Sequence, residues 1–167
     1  AIRINIEPND SSVVAKSIAD FVKENNYDLI IAGRESIDYN GGMVPGMISE
    51  LTNINFIDKC IELNISGNSV EASREIDGGK ENISTSLPLI IGGQKGLVEE
   101  NDLRIPNMRG IMMARKKELI VIEANKYSET LQTNSFEKPK AKGEVTLVSS
   151  DEVEKLIELL HNEAKAL

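Results

Sequence analysis

The chain has 167 residues and a formal net charge of −8, with 27 acidic against 19 basic side chains. This length is enough for one domain with its own buried core, held without a metal or a disulfide. The acidic balance argues against a nucleic acid partner, because such partners are held by basic side chains on the phosphates. A single histidine excludes sites built from several histidines.

Cysteine usage and hydropathy indicate where the protein works. The single Cys60 cannot form an internal disulfide, which fits a reducing compartment. No segment approaches the roughly 20 apolar residues that cross a bilayer. The first residues do not resemble a secretory leader. We therefore expect a cytoplasmic protein without membrane insertion, and since the sequence starts with Ala1 rather than Met, we expect residues upstream.

The first part of the chain predicts a strand, a helix and a second strand. Residues 2–6 alternate between isoleucine and polar side chains, which is typical of a half-buried strand. Asp10 or Ser11 can cap an amphipathic helix that ends near Asn25. Residues 27–32 form a short aliphatic run typical of a parallel strand. Together they predict a βαβ unit.

The middle of the chain predicts an antiparallel meander. A short helix at residues 47–51 comes first, with Pro45 in its first turn. Residues 56–66 and 68–76 then alternate like strands of a hairpin. Residues 81–93 supply a further strand interrupted by a proline. We predict that these strands form a meander attached to the parallel unit.

The last third of the chain predicts a short helix at residues 108–115 and a buried strand at residues 119–122. A polar arm follows at residues 123–143, and a terminal helix at residues 151–165. Ser149 or Ser150 can cap the terminal helix. The arm is polar and nearly free of periodicity. We divide the chain into an α/β domain at residues 1–122 and an arm with a terminal helix at residues 123–167.

The loop after the second predicted strand, GRESIDYNGGMVPGM, is the strongest candidate for a ligand site. In open α/β sheets ligands bind beyond the carboxyl ends of the strands, where helix N-termini offer free amides to phosphate. Gly41 and Gly42 would let the main chain approach a phosphate, and Asp38 or Asn40 could bond a ribose. The alternative is a flexible turn, because the loop is neither a Walker loop nor a GxGxxG fingerprint.

Other chemically suggestive residues have structural alternatives. Met108, Met112 and Met113 form either an adaptable contact surface or the core face of a helix. His161 fits a solvated position on the terminal helix, and Cys60 fits a core position in a strand. The sequence offers no pair of nucleophile and base, so we expect no catalytic residues.

Three motifs carry a resemblance to a known family: DLIIAGRESIDYNGG, then SREIDGGKENISTSLPLIIGG, then LRIPNMRGIMMARKKELIVI. In this order they resemble signatures of the β subunit of electron-transfer flavoproteins and of the related nitrogen-fixation flavoprotein subunits. The resemblance implies a Rossmann-like parallel sheet of the adenine-nucleotide-hydrolase kind, with an attached antiparallel meander and a C-terminal arm plus helix. It also implies that the first strands of that sheet are missing here, because family members carry further N-terminal residues.

The resemblance further implies a heterodimer. In the family an α subunit carries the redox FAD, while the β subunit binds AMP or, in members that bifurcate electrons, a second FAD. The arm and terminal helix would pack on the α subunit, and an acyl-CoA dehydrogenase or another flavin dehydrogenase would dock transiently. Such a chain is an electron carrier component rather than an enzyme. The alternative is a stand-alone nucleotide-binding regulatory α/β domain without a redox role.

The resemblance assigns nucleotide binding to ten residues of the loop: Ala32, Gly33, Arg34, Ser36, Asp38, Asn40, Gly41, Gly42, Met43 and Val44. Family members usually end this loop with Gln, then Thr or Val, then Gly. Here Met43 and Pro45 stand in the first and third of these positions, so one side-chain amide and one flexible backbone amide are lost.

The resemblance also assigns two docking elements. Glu75 resembles the glutamate that helps to hold the mobile FAD domain of the α subunit. The recognition loop for the dehydrogenase would comprise Arg104, Ile105, Met108, Ile111 and Met112.

Overall fold

A computed structural model describes residues 1–143 and 145–166 and shows an α/β chain. The chain divides into two compact units, Ala1–Thr133 and Asn134–Leu167. The first unit therefore extends past the predicted start of the arm at residue 123.

The described elements of the first unit follow one another as β1 (Ile2–Asn5), α1 (Ser11–Asn25), β2 (Leu29–Gly33), α2 (Val44–Thr52), β3 (Asn55–Ser66), β4 (Ser69–Ile76), β5 (Gly79–Ser86), β6 (Leu89–Gly93), α3 (Met108–Ala114) and β7 (Ile120–Glu123). A turn of 3-10 helix at Glu100–Asp102 precedes α3. The strands form two sheets, a parallel pair β1–β7 and a five-stranded sheet in the order β2-β6-β3-β4-β5.

The five-stranded sheet joins a parallel half to an antiparallel half. Strand β6 runs parallel to both β2 and β3, whereas β3, β4 and β5 run antiparallel to one another. The predicted α/β class and the attached meander are confirmed. The first βαβ unit is different from the prediction, because β1 pairs with β7 in the other sheet and is not a neighbour of β2.

The prediction of one interrupted strand at residues 81–93 is wrong. The segment is two strands, β5 at the edge of the meander and β6 in the centre of the sheet, and the peptide bond before Pro88 between them is cis. Strand β6 reads LIIGG without alternation, which is typical of a parallel strand that is covered on both faces.

The side chains of β6 fill the core on both faces of the sheet. Leu89, Ile90 and Ile91 are all fully buried. Leu89 and Ile91 pack in a cluster with residues of β3 and β4, while Ile90 packs on the opposite face with Ala15 and Ile48 of the helices. Cys60 lies in the first cluster, as expected for a core residue, and burial raises the pKa of its thiol.

Helix α1 begins and ends where its sequence predicts. Asp10 is the N-cap and accepts a hydrogen bond from the Ser12 amide at 2.7 Å. Asn26 ends the helix with a left-handed φ of 48°, a conformation that asparagine tolerates better than most residues. Pro45 lies in the first turn of α2, as predicted.

Two carboxylates of this region hold residues 125–131 against α1. The second oxygen of Asp10 accepts hydrogen bonds from the backbone amide and hydroxyl of Thr130 and from the Leu131 amide. Burial opposes ionisation of Asp10, but these bonds and those from Ser12 outweigh it, and the pKa of Asp10 lies well below its usual range.

Asp20 makes the second contact of this kind. It accepts hydrogen bonds from the Tyr127 hydroxyl and the Asn125 amide group, which lower the pKa of Asp20. The hydrogen bond to Asp20 also raises the pKa of the Tyr127 hydroxyl. Lys16 adds a cation–π contact, with its ammonium 5.5 Å from the centre of the Tyr127 ring.

Strand β7 is not the buried strand that its sequence predicts. Ile120 and Val121 are 50% and 51% exposed. Within residues 1–143 and 145–166, the strand pairs on one side only, with β1. Its apolar side chains therefore lie at the surface of the first unit.

The second unit contains an extended segment and a short helical region. In its described part, α4 spans Val153–Glu158 and continues into a π-helical turn at Leu159–Glu163. The predicted serine cap is wrong, since the N-cap is Glu152 and it makes no side-chain capping bond. Within the described residues of the whole chain, every helix is too short or too polar to cross a membrane.

Candidate functional site

The candidate loop leaves the sheet at the carboxyl end of β2, beside the end of β6. Ala32 and Gly33 are the last two residues of β2 and pair with Gly92 and Gly93. Two parallel strands therefore end at the same edge of the sheet, which is the usual position of ligand sites in open α/β folds.

The loop is closed by its own backbone. Ser36 and Gly41 exchange two hydrogen bonds, with N···O distances of 2.8 and 3.1 Å. Asn40 adopts a left-handed φ of 50° within this turn. Asp38 and Asn40 thus lie at the tip of a closed, exposed turn.

Gly42 connects this turn to helix α2. A Cβ atom at Gly42 would lie 3.3 Å from the Arg34 carbonyl oxygen, so the two ends of the loop approach closely. Helix α2 begins two residues later, after the N-cap Met43, which makes no side-chain capping bond. The amides of the first turn of α2 consequently receive no side-chain cap.

A cavity of about 340 Å³ lies between this loop, the first half of β3 and the end of β6. Its walls are Arg34, Glu35, Gly42, Phe56, Asp58, Lys59 and Gly92. Of the ten residues predicted to bind nucleotide, the structure brings Arg34 and Gly42 to this cavity. Ala32, Gly33, Ser36, Asp38, Asn40, Gly41, Met43 and Val44 belong to the same strand end and loop, but they are not among its walls.

The walls contributed by β3 were not predicted from the sequence. Phe56, Asp58 and Lys59 belong to a strand that was interpreted only as part of the meander. The register of β3 against β6 shifts between Ile57 and Cys60, and Lys59 has a left-handed φ of 46°. The available signal was the charged pair Asp58-Lys59 inside an otherwise apolar strand start.

Ion pairs balance most of the charge in this cavity. Arg34 pairs with the neighbouring Glu35. Asp58 pairs with Arg74 of β4, which also donates to Glu81 of β5 at 2.6 Å. The Glu81 and Asp58 carboxylates raise the pKa of the Arg74 guanidinium.

The cavity has the features of a small-molecule site. Its volume lies at the lower end of the range of about 300–1,000 Å³ for ligand pockets. It combines an aromatic ring, cationic side chains and the backbone of Gly42, a combination that suits a small anionic ligand. Within residues 1–143 and 145–166, three or more His, Cys, Asp or Glu side chains do not come together in a way that would hold a metal ion.

The predicted docking residue Glu75 lies at the end of β4 and is exposed. Its carboxylate accepts a hydrogen bond of 2.6 Å from the Gln94 side chain, just after β6. Glu75 is therefore held beside the same edge of the sheet as the loop.

The predicted recognition loop is a surface segment ending in α3. Asn107 caps α3 by accepting a hydrogen bond of 2.7 Å from the Gly110 amide. The apolar side chains point to solvent, with Ile105 87%, Met108 74% and Met112 61% exposed, while Ile111 is 38% exposed and Arg104 is also exposed. Of the two interpretations of the methionines, this exposure contradicts the core face, and the contact surface stays a prediction.

Comparison with known proteins gives consistent results. The profile of the electron transfer flavoprotein domain matches residues 5–127. The electron transfer flavoprotein subunit beta of Bacillus subtilis is 32% identical over the whole chain, which covers 69% of that protein. The subunit of the same name from Syntrophomonas wolfei is 30% identical over 80% of the chain and 52% of its own length. The chain therefore spans about half to two thirds of the length of these relatives.

Proposed function

The chain belongs to the electron transfer flavoprotein family, and on that premise we propose that it is the nucleotide-binding part of a β subunit. In this proposal it assembles with an α subunit that carries the redox FAD, and it transfers no electrons by side-chain chemistry of its own. We propose that the protein works in the cytoplasm, because its one cysteine, Cys60, is free and buried.

The observation that carries the proposal is the cavity at the carboxyl ends of β2 and β6. The loop around Gly42 and the uncapped start of α2 offer backbone amides at this edge. Phe56 offers an apolar wall, and Arg34 offers positive charge. The group held by these walls would be AMP or a second FAD, the two nucleotides that the family resemblance implies.

The loop residues take two roles in the proposed site. Arg34 and Gly42 face the bound group, because they line the cavity. The remaining predicted residues, from Ala32 to Val44, shape the loop through the Ser36–Gly41 pairing and lead into α2. Met43 supplies its backbone only, since it cannot offer the side-chain amide that other family members have there.

Co-expression with an α subunit tests the assembly. We expect a yellow 1:1 complex on size exclusion, with the arm and terminal helix of this chain protected from proteolysis in the complex. Failure of the two chains to co-purify would overturn the subunit assignment. A chain that binds nucleotide but does not co-purify with an α subunit would instead indicate a stand-alone nucleotide-binding domain.

Nucleotide analysis of the same complex tests the cofactor. Released nucleotides should give one FAD and one AMP per complex if the cavity holds AMP, and two FADs if it holds a flavin nucleotide. One FAD without any AMP would contradict nucleotide binding by this chain.

Docking to an acyl-CoA dehydrogenase or another flavin dehydrogenase is proposed for the segment from Arg104 to Met112. Met108 is a flexible apolar side chain that is exposed in the chain, which suits a transient interface. Met108→Ala should slow electron acceptance from the dehydrogenase about tenfold, as loss of an anchoring contact does. Val98→Ala is the control, because Val98 is also an exposed apolar side chain but lies outside this segment. Equal rates for the two variants, with unchanged flavin content, would refute the assignment.

A further inference from the structure

We propose that Lys59 binds the phosphate group of the nucleotide in this cavity. The inference rests on the proposed nucleotide-binding function and names a residue outside the candidate loop. Lys59 lies on β3, in the part of the strand that runs beside β6, and it lines the same cavity as Arg34 and Gly42.

The charges around the cavity leave Lys59 as the cation without a carboxylate. Of the two acidic walls, Glu35 pairs with Arg34 and Asp58 pairs with Arg74. Among the residues that the structure describes, Lys59 makes neither an ion pair nor a side-chain hydrogen bond, although it is half-buried. A lysine in a cavity wall that has no carboxylate partner is available to bind an anion, and the phosphate of a nucleotide is such an anion.

The backbone at Lys59 is held in an unusual conformation. Its φ of 46° lies in the left-handed region, which a side chain of this kind rarely adopts. It falls where the pairing of β3 with β6 shifts between Ile57 and Cys60. Irregularities of this kind are frequent beside functional sites because they redirect a side chain. Here the irregularity places Lys59 among the walls of the cavity.

The neighbouring walls determine what lies next to the phosphate. The Phe56 ring lies close to two glycines, since added Cβ atoms would lie 3.5 Å from it at Gly92 and 3.7 Å from it at Gly46. An aromatic wall of this kind suits the base of a nucleotide. Lys59 and Phe56 would thus bind opposite ends of one small ligand, the anionic and the aromatic end.

The test compares AMP with adenosine by isothermal titration of the purified chain, together with its α subunit where the two co-purify. In Lys59→Met we expect binding of AMP to weaken about tenfold, as for loss of one charged hydrogen bond. Binding of adenosine should stay unchanged. Lys95→Met, at an exposed lysine outside the cavity, is the matched control and should bind both compounds as the unmodified chain does.

A second variant separates binding from folding. Asparagine adopts the left-handed region more readily than lysine, so Lys59→Asn should melt at the same or a higher temperature and still lose affinity for AMP. Equal weakening for AMP and adenosine, or unchanged binding of AMP in both variants, would overturn the role of Lys59 and leave the proposed function standing. If the unmodified chain binds neither AMP nor FAD, the proposed function fails and this inference fails with it.

Discussion

Strands β6 and β7 have similar aliphatic sequences and opposite environments. In β6, Ile90 and Ile91 are fully buried, whereas Ile120 and Val121 of β7 are half exposed. The difference comes from neighbouring strands, because among the residues that the structure describes β6 pairs on both sides while β7 pairs only with β1. A run of isoleucine and valine therefore predicts a strand, but its position in the sheet decides how much the strand contributes to stability.

The two regions are also stabilised by different interactions. The parallel centre is held by aliphatic packing on both faces of β6. On the side of β1 and β7, the chain that follows β7 is held on α1 by Asp10 and Asp20. These polar contacts join residues that are more than 100 positions apart in the sequence.

The largest expected effect tests the apolar half of this comparison. Ile90→Ala should lower the free energy of unfolding by about 2–5 kcal/mol, because it leaves a cavity in a packed core. Ile120→Ala, the same substitution in β7, should cost about 1 kcal/mol or less. Urea denaturation of both variants measures the difference. Similar losses would show that β7 is as buried in solution as β6.

The next prediction tests the polar contacts of Asp10 through the pH dependence of protein stability. The pKa of Asp10 is depressed in the folded state, so its stabilising contribution is fully present above the ordinary carboxyl value of 3.8 and is lost as the pH falls below it. Asp10→Asn should therefore lower the melting temperature at pH 7 and flatten its decline in acid.

Melting curves from pH 7 to pH 2 would measure this, with Asp77→Asn in the exposed turn after β4 as the control. If Asp10→Asn and Asp77→Asn give parallel curves, Asp10 does not hold residues 130 and 131 in solution.

The smallest effect concerns the loop at the end of the parallel centre. Gly42→Ala would place a Cβ atom 3.3 Å from the Arg34 carbonyl oxygen, whereas Gly41→Ala meets nothing within 4 Å. The first variant should lose roughly 1 kcal/mol of stability and the second much less. Thermal unfolding of the two variants gives the comparison directly. Equal stability would mean that the loop opens without cost.

Local chemistry made several elements predictable. The Asp10 cap, the asparagine end of α1 and the proline in the first turn of α2 were all confirmed, because each depends on a few neighbouring residues. The hairpin of β3 and β4 was predicted for the same reason, since a short turn with Gly67 joins the two strands.

Long-range pairing was less predictable. Nothing within residues 81–93 shows that β6 returns to lie between β2 and β3, although its unbroken aliphatic run indicated a covered strand. The same holds for the contact of Asp10 with Thr130. Its role as a cap could be predicted, but its second set of donors comes from 120 residues away.

One part of the candidate site could be predicted from the sequence and another part could not. Its loop was predicted from the glycines at the end of β2 and from the family resemblance. Its opposite wall was not, because Lys59 and its neighbours belong to β3, which was interpreted only as part of the meander. A sequence pattern identifies which segment resembles a binding loop, while the partner of that loop depends on which strand lies next to it.

During synthesis, the parallel centre must wait for the end of β6 to leave the ribosome. A nascent chain that stops at Ser86 already contains β3, β4 and β5, so the meander can pair locally. Strands β2 and β3 are joined only through β6, and until Gly93 emerges their inner edges stay open. Unpaired strand edges on incomplete chains favour association with other chains. The order of elements along this sequence thus sets an interval in which the growing chain exposes unpaired strand edges to other chains.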